Sequence, residues 1–145
     1  MRVAIGSDHR GRRYKDEIKA HLERLGHTVA DMGTDQEGSV DYPDYARKVA
    51  RSVSTGENDR GVLVCSTGIG MSMAANRFKG VRAALCLNMK MAQLARRHND
   101  ANVLCLGQDL VPEQDVTGIV DEWLTREFEG GRHERRVKEL DECAQ

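Results

Sequence analysis

The chain has 145 residues, which is enough for one sizeable hydrophobic core and too few for two ordinary domains. Its 22 basic and 23 acidic residues leave a net charge of −1, so the composition gives no support for nucleic-acid binding. No apolar run is long enough for a signal peptide or a membrane span, and the four cysteines include no Cys-x-x-Cys pair. We therefore expect a cytoplasmic protein with reduced thiols and without a zinc ribbon, a disulfide framework or a membrane partner.

Five short apolar runs alternate with segments of helical period along the chain. This alternation is typical of βαβ units around a parallel sheet. The runs are Val3–Gly6, Thr28–Asp31, Val62–Cys65, Ala83–Cys86 and Val103–Leu106. We predict an α/β fold, a three-layer α/β/α Rossmann-like single domain over residues 1–145 with a five-stranded, mostly parallel sheet.

Helical periodicity fills the segments between these runs. The first helix has an apolar stripe at spacings of four, four and three residues, formed by Tyr14, Ile18, Leu22 and Leu25. Gly26 should end that helix. We expect three more helices, over segments 45–53, 88–98 and 112–124. Gly130-Gly131 should break the last of them, and residues 130–145 should form a C-terminal arm or helix.

The third apolar run ends abruptly in a cysteine and a glycine-rich turn, Cys65-Ser66-Thr67-Gly68-Ile69-Gly70-Met71-Ser72. Gly68 and Gly70 allow the backbone to approach a ligand closely, and free N–H groups at the start of a following helix favour an anion. Such groups also stabilise a thiolate, so Cys65 is the first candidate for a reactive residue. The stretch suits a phosphatase, a redox site or an isomerase. Met71 stands where a cysteine phosphatase needs arginine, and the absence of a second nearby cysteine weakens the redox interpretation.

Polar residues cluster at further points of the predicted fold. Because ligands of open parallel sheets gather at the C-terminal ends of the strands, the loop Ser7-Asp8-His9-Arg10-Gly11 is a candidate binding loop. His98-Asn99-Asp100 precede the fifth strand, and the basic segment 132–136 lies near the C-terminus. On their own, His98 is as well explained by a helix C-cap and the basic segment by a solvated face. No two histidines have metal-ligand spacing with acidic support, so we expect no metal site.

Six motifs in this order resemble ribose-5-phosphate isomerase type B, a family that includes the galactose-6-phosphate isomerase subunits. The motifs are Gly6-Ser7-Asp8-His9, Asp41-Tyr42-Pro43-Asp44-Tyr45, Cys65–Ser72, Ala74-Ala75-Asn76, His98-Asn99-Asp100-Ala101-Asn102 and Gly130-Gly131-Arg132-His133. They span nearly the whole chain. The resemblance implies a metal-independent aldose–ketose isomerase without a cofactor, converting ribose 5-phosphate to ribulose 5-phosphate through ring opening and an enediolate.

The resemblance also implies roles for particular residues. Cys65 matches the catalytic base, His98 matches the residue that opens the sugar ring, and Asp8 and Thr67 match their catalytic neighbours. The implied substrate-binding residues are His9, Tyr42, Ser66, Gly68, Ile69, Gly70, Asn99, Arg132 and Arg136. The family acts as a homodimer or a dimer of dimers with shared sites, so the resemblance implies that His98 and Asn99 face Cys65 of the partner subunit.

The chain departs from the family pattern at three positions. Ser66 stands where glycine is usual, Arg12 where an apolar or aromatic residue is common, and Asp109 where many relatives carry a phosphate-binding arginine. A carboxylate at position 109 should repel a phosphate. The alternatives are therefore another sugar, such as allose or galactose 6-phosphate or a free sugar, and a non-catalytic module that binds sugar phosphates.

Overall fold

The computed structural model describes residues 1–143 and contains one five-stranded sheet in the order β2-β1-β3-β5-β4. The strands are β1 (Arg2–Ser7), β2 (Thr28–Asp31), β3 (Arg60–Cys65), β4 (Ala83–Leu85) and β5 (Val103–Gly107). Within the described residues every neighbouring pair of strands is parallel. The predicted α/β fold class with five strands is confirmed.

Helices cover both faces of the sheet. They are α1 (Arg12–Arg24), α2 (Tyr42–Ser54), α3 (Ile69–Ala75), α4 (Met89–Asn99), α5 (Val116–Thr125) and α6 (Arg132–Glu142). One hydrophobic core joins the sheet to α1, α4 and α5, and a second joins its other face to α2 and α3. This is the predicted three-layer arrangement.

The three inner strands, β1, β3 and β5, are largely buried on both faces, as their nearly continuous hydrophobicity indicates, whereas the edge strands β2 and β4 are only partly buried. In β1, Val3 and Ile5 contribute to the core under α1, whereas Ala4 contributes to the core under α2. All three side chains are fully buried. Burying one Val or Ile side chain stabilises a protein by about 1.5–3 kcal/mol, so the two cores together hold the helices on the sheet.

Helix boundaries differ from the predictions at several points, and α2 begins at Tyr42, three residues before the predicted segment. Helix α1 ends at Arg24, and Gly26 turns the chain with φ +88°, so Leu25 leaves the apolar stripe and is 52% exposed. The last predicted helix begins later than Pro112, because residues 113–115 form a 3₁₀ turn before α5 starts at Val116. Such tighter turns are frequent at helix N-termini.

The strand ends define two edges of the sheet. We call the edge where β1, β3 and β5 end at Ser7, Cys65 and Gly107 the carboxyl edge. Strands β1 and β3 are neighbours, but the chain leaves β1 for α1 on one face and β3 for α3 on the other. This divergence opens a crevice at the carboxyl edge, where open α/β sheets bind ligands.

We call the opposite edge, where β3, β4 and β5 begin, the amino edge. Helix α4 runs back to it and ends at Asn99, and the Gly61 N–H donates to the Asn102 carbonyl at 2.9 Å. Helix α6 is held there because both Asp141 carboxylate oxygens accept from Arg82 Nη1 at 3.0 Å. None of the helices within residues 1–143 is both long and apolar enough to cross a membrane.

Candidate active site

Cys65 is the last residue of β3, at the centre of the carboxyl edge. Its side chain is only 5% exposed, and the Gly68 N–H donates to Cys65 Sγ at 3.1 Å. The turn that brings this N–H onto the sulfur requires a left-handed backbone at Gly68, whose φ is +78°. This contact fixes the position of Cys65 Sγ, the atom through which a cysteine acts as a base or a nucleophile.

Close backbone contacts with β5 hold the loop after Cys65 in place. A Cβ atom at Gly68 would lie 2.9 Å from the Leu106 carbonyl carbon, and one at Gly107 would lie 2.6 Å from the Thr67 carbonyl group. Real Cβ atoms do not approach backbone this closely, so both positions need glycine. The loop therefore has little freedom to move away from the thiol.

Several donors in the same loop remain available for a ligand. Among residues 1–143, no group accepts a hydrogen bond from the N–H of Gly70 or Met71 in the first turn of α3. Thr67 Oγ1 accepts from the Ile69 N–H at 3.2 Å, which leaves the Thr67 hydroxyl proton free to donate. Donors placed beside a thiolate suit a reaction in which negative charge develops on a substrate oxygen.

The loop after β1 borders this arrangement directly. A Cβ atom at Gly11 would lie 2.3 Å from the Val64 carbonyl oxygen and 2.9 Å from the Cys65 nitrogen, so the two loops touch through their backbones. Asp8 Oδ1 accepts from the N–H groups of Arg10 and Gly11 at 2.9 and 3.1 Å. The buried Asp8 carboxylate thereby shapes the loop next to Cys65.

His9 and Tyr42 lie at the same edge. The Val40 N–H donates to His9 Nδ1 at 3.2 Å, so this nitrogen is an acceptor and a neutral His9 ring carries its proton on Nε2. The Tyr42 ring lies against Gly70, since a Cβ atom there would be 2.5 Å from Tyr42 Cζ. Tyr42 therefore borders the Cys65 loop, and His9 borders the segment that precedes α2.

The two departures from the family pattern nearest to Cys65 contact each other. Ser66 Oγ donates to Asp109 Oδ2 at 2.5 Å, and the Asp109 N–H donates to the Ser66 carbonyl at 2.9 Å. Ser66 and Asp109 are 43 residues apart along the chain, and only the pairing of β3 with β5 makes them neighbours.

The remaining thiols differ from Cys65 in their surroundings. Burial raises the pKa of Cys86 to about 12 and raises the pKa of the fully buried Cys105 as well. Cys143 is exposed near the end of the described chain. Among these cysteines, Cys65 alone accepts a hydrogen bond from a backbone N–H within residues 1–143.

His98 and Asn99 lie at the other edge of the sheet. They form the last turn of α4, five and four residues before β5 begins at Val103. Gly61, which is bonded to Asn102 at this edge, is four residues before Cys65, and four residues of parallel strand span about 13 Å. Within one chain, the fold does not bring His98 and Asn99 to the Cys65 loop.

His98 belongs to a cluster that sequence inspection missed. Its ring stacks on His133 with centroids 4.3 Å apart and planes inclined by 13°. Glu129 Oε2 lies 3.7 Å from His98 Nε2 and 3.6 Å from His133 Nε2, and Arg97 Nε donates to Glu129 Oε1 at 2.6 Å. The spacing of four residues between Glu129 and His133 was the only signal of this cluster along the chain.

The charges in this cluster follow from its contacts. The hydrogen bond from Arg97 lowers the pKa of Glu129, which stays ionised. Burial lowers the pKa of His133, and the nearby His98 and Arg132 act in the same direction. His133 is therefore the neutral, buried support on which the half-exposed His98 ring rests.

The same three side chains are the candidate metal ligands within residues 1–143, since His98, Glu129 and His133 place ligand atoms within 4.8 Å of one another. The sequence prediction of no metal site rested on spacing and did not foresee this grouping. However, imidazole lone pairs lie in the ring plane, and the two planes are stacked nearly parallel. An ion in the plane of one ring would lie well outside the plane of the other, so the observed geometry does not fit a shared metal.

Arg132 and Arg136 are exposed on α6, close to this cluster and one helical turn apart. No carboxylate within residues 1–143 forms an ion pair with either guanidinium, whereas Arg135 and Lys138 pair with Glu139 and Glu134. The pair is available for an anion such as a phosphate.

The predicted site residues thus form two groups. The carboxyl-edge group contains Asp8, His9, Tyr42, Cys65, Ser66, Thr67, Gly68, Ile69 and Gly70. The amino-edge group contains His98, Asn99, Arg132 and Arg136. No single chain unites the two groups.

Comparisons with known proteins agree with this architecture. Residues 3–140 match the family model described as Ribose/Galactose Isomerase. The chain is 48% identical to Escherichia coli ribose-5-phosphate isomerase B over 139 residues, covering 96% of this chain and 93% of that protein. The Clostridium thermocellum ribose-5-phosphate isomerase B structure matches with a TM-score of 0.96 and 50% identity, covering 99% of this chain and 97% of that one.

A second similar structure carries a ligand. Mycoplasma genitalium ribose-5-phosphate isomerase B with bound ribulose 5-phosphate matches with a TM-score of 0.95 and 43% identity, covering 98% of this chain and 95% of that one. Family model, sequence relatives and solved structures all extend over nearly the full chain. The chain belongs to the ribose/galactose isomerase family, as its motifs indicated.

Proposed function

We propose that this protein is an aldose–ketose isomerase that interconverts ribose 5-phosphate and ribulose 5-phosphate. The observation that carries the proposal is the Gly68 N–H bonded to Cys65 Sγ, in a loop whose Gly70 and Met71 N–H groups have no acceptor within residues 1–143. A cysteine sulfur beside free backbone donors supports a base next to a site where charge develops on oxygen. The printed names of the similar proteins support the choice of substrate.

The reaction moves one proton between two carbons. The Cys65 thiolate removes the proton from C2 of the open-chain aldose, and the electrons flow onto the C1 carbonyl oxygen to form an enediolate. The N–H groups of the loop stabilise that oxygen while it is charged. The Cys65 thiol then returns the proton to C1, and the proton of the C2 hydroxyl passes to the C1 oxygen, so that C2 becomes the ketone and C1 carries the hydroxyl.

The ring must open before this step, because ribose 5-phosphate is mainly a furanose. Opening requires a proton on the ring oxygen and loss of the proton from the C1 hydroxyl. We assign the delivery of the proton to His98, which rests on His133 and is half exposed at the amino edge. Arg132 and Arg136 bind the phosphate together with His9.

This assignment requires two chains. His98 and Cys65 lie at opposite edges of the sheet, so His98 serves the Cys65 loop of a partner subunit, and a homodimer has two shared sites. Exposed apolar side chains near the Cys65 loop and the start of α4 support contact between subunits, namely Ile69, Met73, Leu87, Met89 and Met91. The base must be a free thiol, so we place the reaction in a reducing compartment such as the cytoplasm.

Turnover in D2O tests the proposal. Purified protein is incubated with ribose 5-phosphate, and the formation of ribulose 5-phosphate and the entry of deuterium at the transferred position are followed by NMR. Allose 6-phosphate, galactose 6-phosphate and free ribose form the comparison panel. Conversion of ribose 5-phosphate above the others supports the proposal. Preference for another sugar would contradict ribose 5-phosphate as the substrate. Binding of sugar phosphates without any conversion would refute the proposal that the protein is an isomerase.

A further inference from the structure

The rim of the Cys65 loop carries opposite charges on its two sides. Strands β1, β3 and β5 are adjacent, so the loop after β3 lies between the loop after β1 and the loop after β5. The loop after β1 carries Arg10, and the loop after β5 carries Asp109. Both side chains are exposed at the carboxyl edge.

The position of Asp109 is fixed by its neighbours. The Gln108 N–H donates to the Cys65 carbonyl and the Asp109 N–H to the Ser66 carbonyl, each at 2.9 Å, so β5 stays paired with the chain beyond Cys65. Ser66 Oγ then holds Asp109 Oδ2 at 2.5 Å. Within residues 1–143, Asp109 Oδ1 has no hydrogen-bond donor, and no cation forms an ion pair with the carboxylate. Its negative charge is therefore not neutralised at this side of the Cys65 loop.

On the other side of the loop, the backbone of Arg10 is fixed. Its N–H donates to Asp8 Oδ1 at 2.9 Å, and the next residue, Gly11, is packed on the Cys65 backbone. The two following arginines are near carboxylates, Arg12 at 4.0 Å from Asp16 and Arg13 at 2.9 Å from Glu113. In the described part of the chain the Arg10 guanidinium has no such partner, so it is free to bind an anion.

We propose that Arg10 and Asp109 orient the substrate across the Cys65 loop. Arg10 attracts the phosphate to the β1 side, next to His9. Asp109, held by Ser66, repels the phosphate from the β5 side and accepts a hydrogen bond from a sugar hydroxyl through its free oxygen. The inference rests on the proposed function and adds to it a phosphate-binding residue and a direction of binding.

The two charges favour one orientation and disfavour its reverse. A guanidinium forms charge-assisted hydrogen bonds with phosphate, whereas a carboxylate close to phosphate is repulsive. A neutral polyol has no charge, so neither the attraction nor the repulsion acts on it. Binding of phosphate and binding of a neutral sugar alcohol should therefore respond differently when each charge is removed.

Competitive inhibition measures this difference. Inorganic phosphate and ribitol are used as inhibitors of ribose 5-phosphate conversion by the wild type, Arg10→Gln and Asp109→Asn. The inhibition constant of phosphate should rise about tenfold in Arg10→Gln, as expected for loss of one charge-assisted contact. It should fall about threefold in Asp109→Asn, which keeps a hydrogen-bonding group of the same shape but removes the charge. Ribitol inhibition should change less than twofold in Arg10→Gln and weaken in Asp109→Asn.

Matched controls remove the same charges elsewhere. Arg51→Gln and Glu57→Gln alter exposed side chains near the start of β3, away from the Cys65 loop, and should leave both inhibition constants unchanged. In a double-mutant cycle, Ser66→Ala should weaken the effect of Asp109→Asn, because the carboxylate is then no longer held at the rim.

Several outcomes would overturn the inference. It is wrong if phosphate inhibition is unchanged in Arg10→Gln, if Asp109→Asn weakens phosphate binding, or if the control variants show the same changes. If the wild type converts no sugar phosphate at all, the proposed function fails instead. Titration calorimetry with inorganic phosphate and ribitol on the same variants then decides the charge orientation without turnover.

Discussion

The two edges of the sheet carry the predicted chemistry in different ways. At the carboxyl edge, backbone groups position the site, because the Cys65 loop is held by contacts at Gly11, Gly68 and Gly107. At the amino edge, long side chains build the cluster, in which Arg97 holds Glu129 beside the stacked rings of His98 and His133. The carboxyl edge contains both the thiol and the donors around it within one chain. The amino edge has a cluster of polar side chains but no thiol beside it.

This difference indicates how a small domain can assemble a full set of catalytic groups. One sheet has only one carboxyl edge, and here that edge is occupied by closely packed loops. In the proposed dimer, the proton donor for ring opening is His98 at the end of α4, at the far edge, where a second copy can use it. In the proposed dimer, the tightly held Cys65 loop of one subunit is therefore completed by the accessible His98 of the other.

The most severe test of the carboxyl edge is Cys65→Ala. Loss of the base should reduce conversion of ribose 5-phosphate by at least about 10³-fold, within the range for general-base catalysis. The thermal midpoint and the binding of inorganic phosphate should stay close to wild type, because the side chain is small. Cys143→Ser changes an exposed thiol and serves as the control. Activity retained in Cys65→Ala would exclude Cys65 from the mechanism.

The separation of the two edges is tested by mixing two inactive variants. His98→Gln should lose about 10²-fold in activity as a proton-transfer variant. When it is co-expressed with Cys65→Ala, half of the dimers should be mixed and each should have one intact shared site. About a quarter of wild-type activity should then return, as two-fold symmetry requires. If the mixture stays inactive although mixed dimers form, the site is not shared.

The rigidity of the carboxyl edge is tested by two matched glycines. Gly68 and Gly56 have φ values of +78° and +77°, but a Cβ atom meets Leu85 Cδ1 at 2.7 Å at Gly68 and nothing within 4 Å at Gly56. Both alanine variants should lose about 1 kcal/mol of stability from backbone strain, and Gly68→Ala should lose more because its Cβ atom also collides with the Leu106 backbone. Gly68→Ala should in addition lose about 10²-fold in activity, because the donors move. Equal activities of the two variants would contradict this account of the loop.

The smallest predicted effect is a change in the pKa of His133 at the amino edge. Burial lowers the pKa of His133, and the Glu129 carboxylate opposes that shift because it favours the protonated ring. Glu129→Gln should therefore lower the pKa of His133 further. NMR titration of the imidazole resonances measures this directly, with Glu139→Gln on the outer face of α6 as the control. A rise of the pKa in Glu129→Gln would show that the carboxylate does not act on this ring.

Local patterns in the sequence were sufficient for much of the fold. The predicted strands appear at the short apolar runs, Gly26 follows the end of α1, and Asn88 caps α4 by accepting from the Met91 N–H at 2.9 Å. The candidate loop at Cys65 was also recognisable, because a strand, a thiol and two glycines follow each other directly. These features depend on residues that are neighbours along the chain, so periodicity and turn chemistry predict them.

Only the tertiary structure could decide which distant residues meet. The pairing of β3 with β5 joins Ser66 to Asp109, and the path of α6 across the amino edge stacks His133 on His98. Sequence alone determined the layered fold and the loop that carries Cys65, since both follow from local hydrophobic patterns and backbone preferences. The division of the polar residues between two edges depends on strand order and helix direction, which are set by long-range packing rather than by any local pattern.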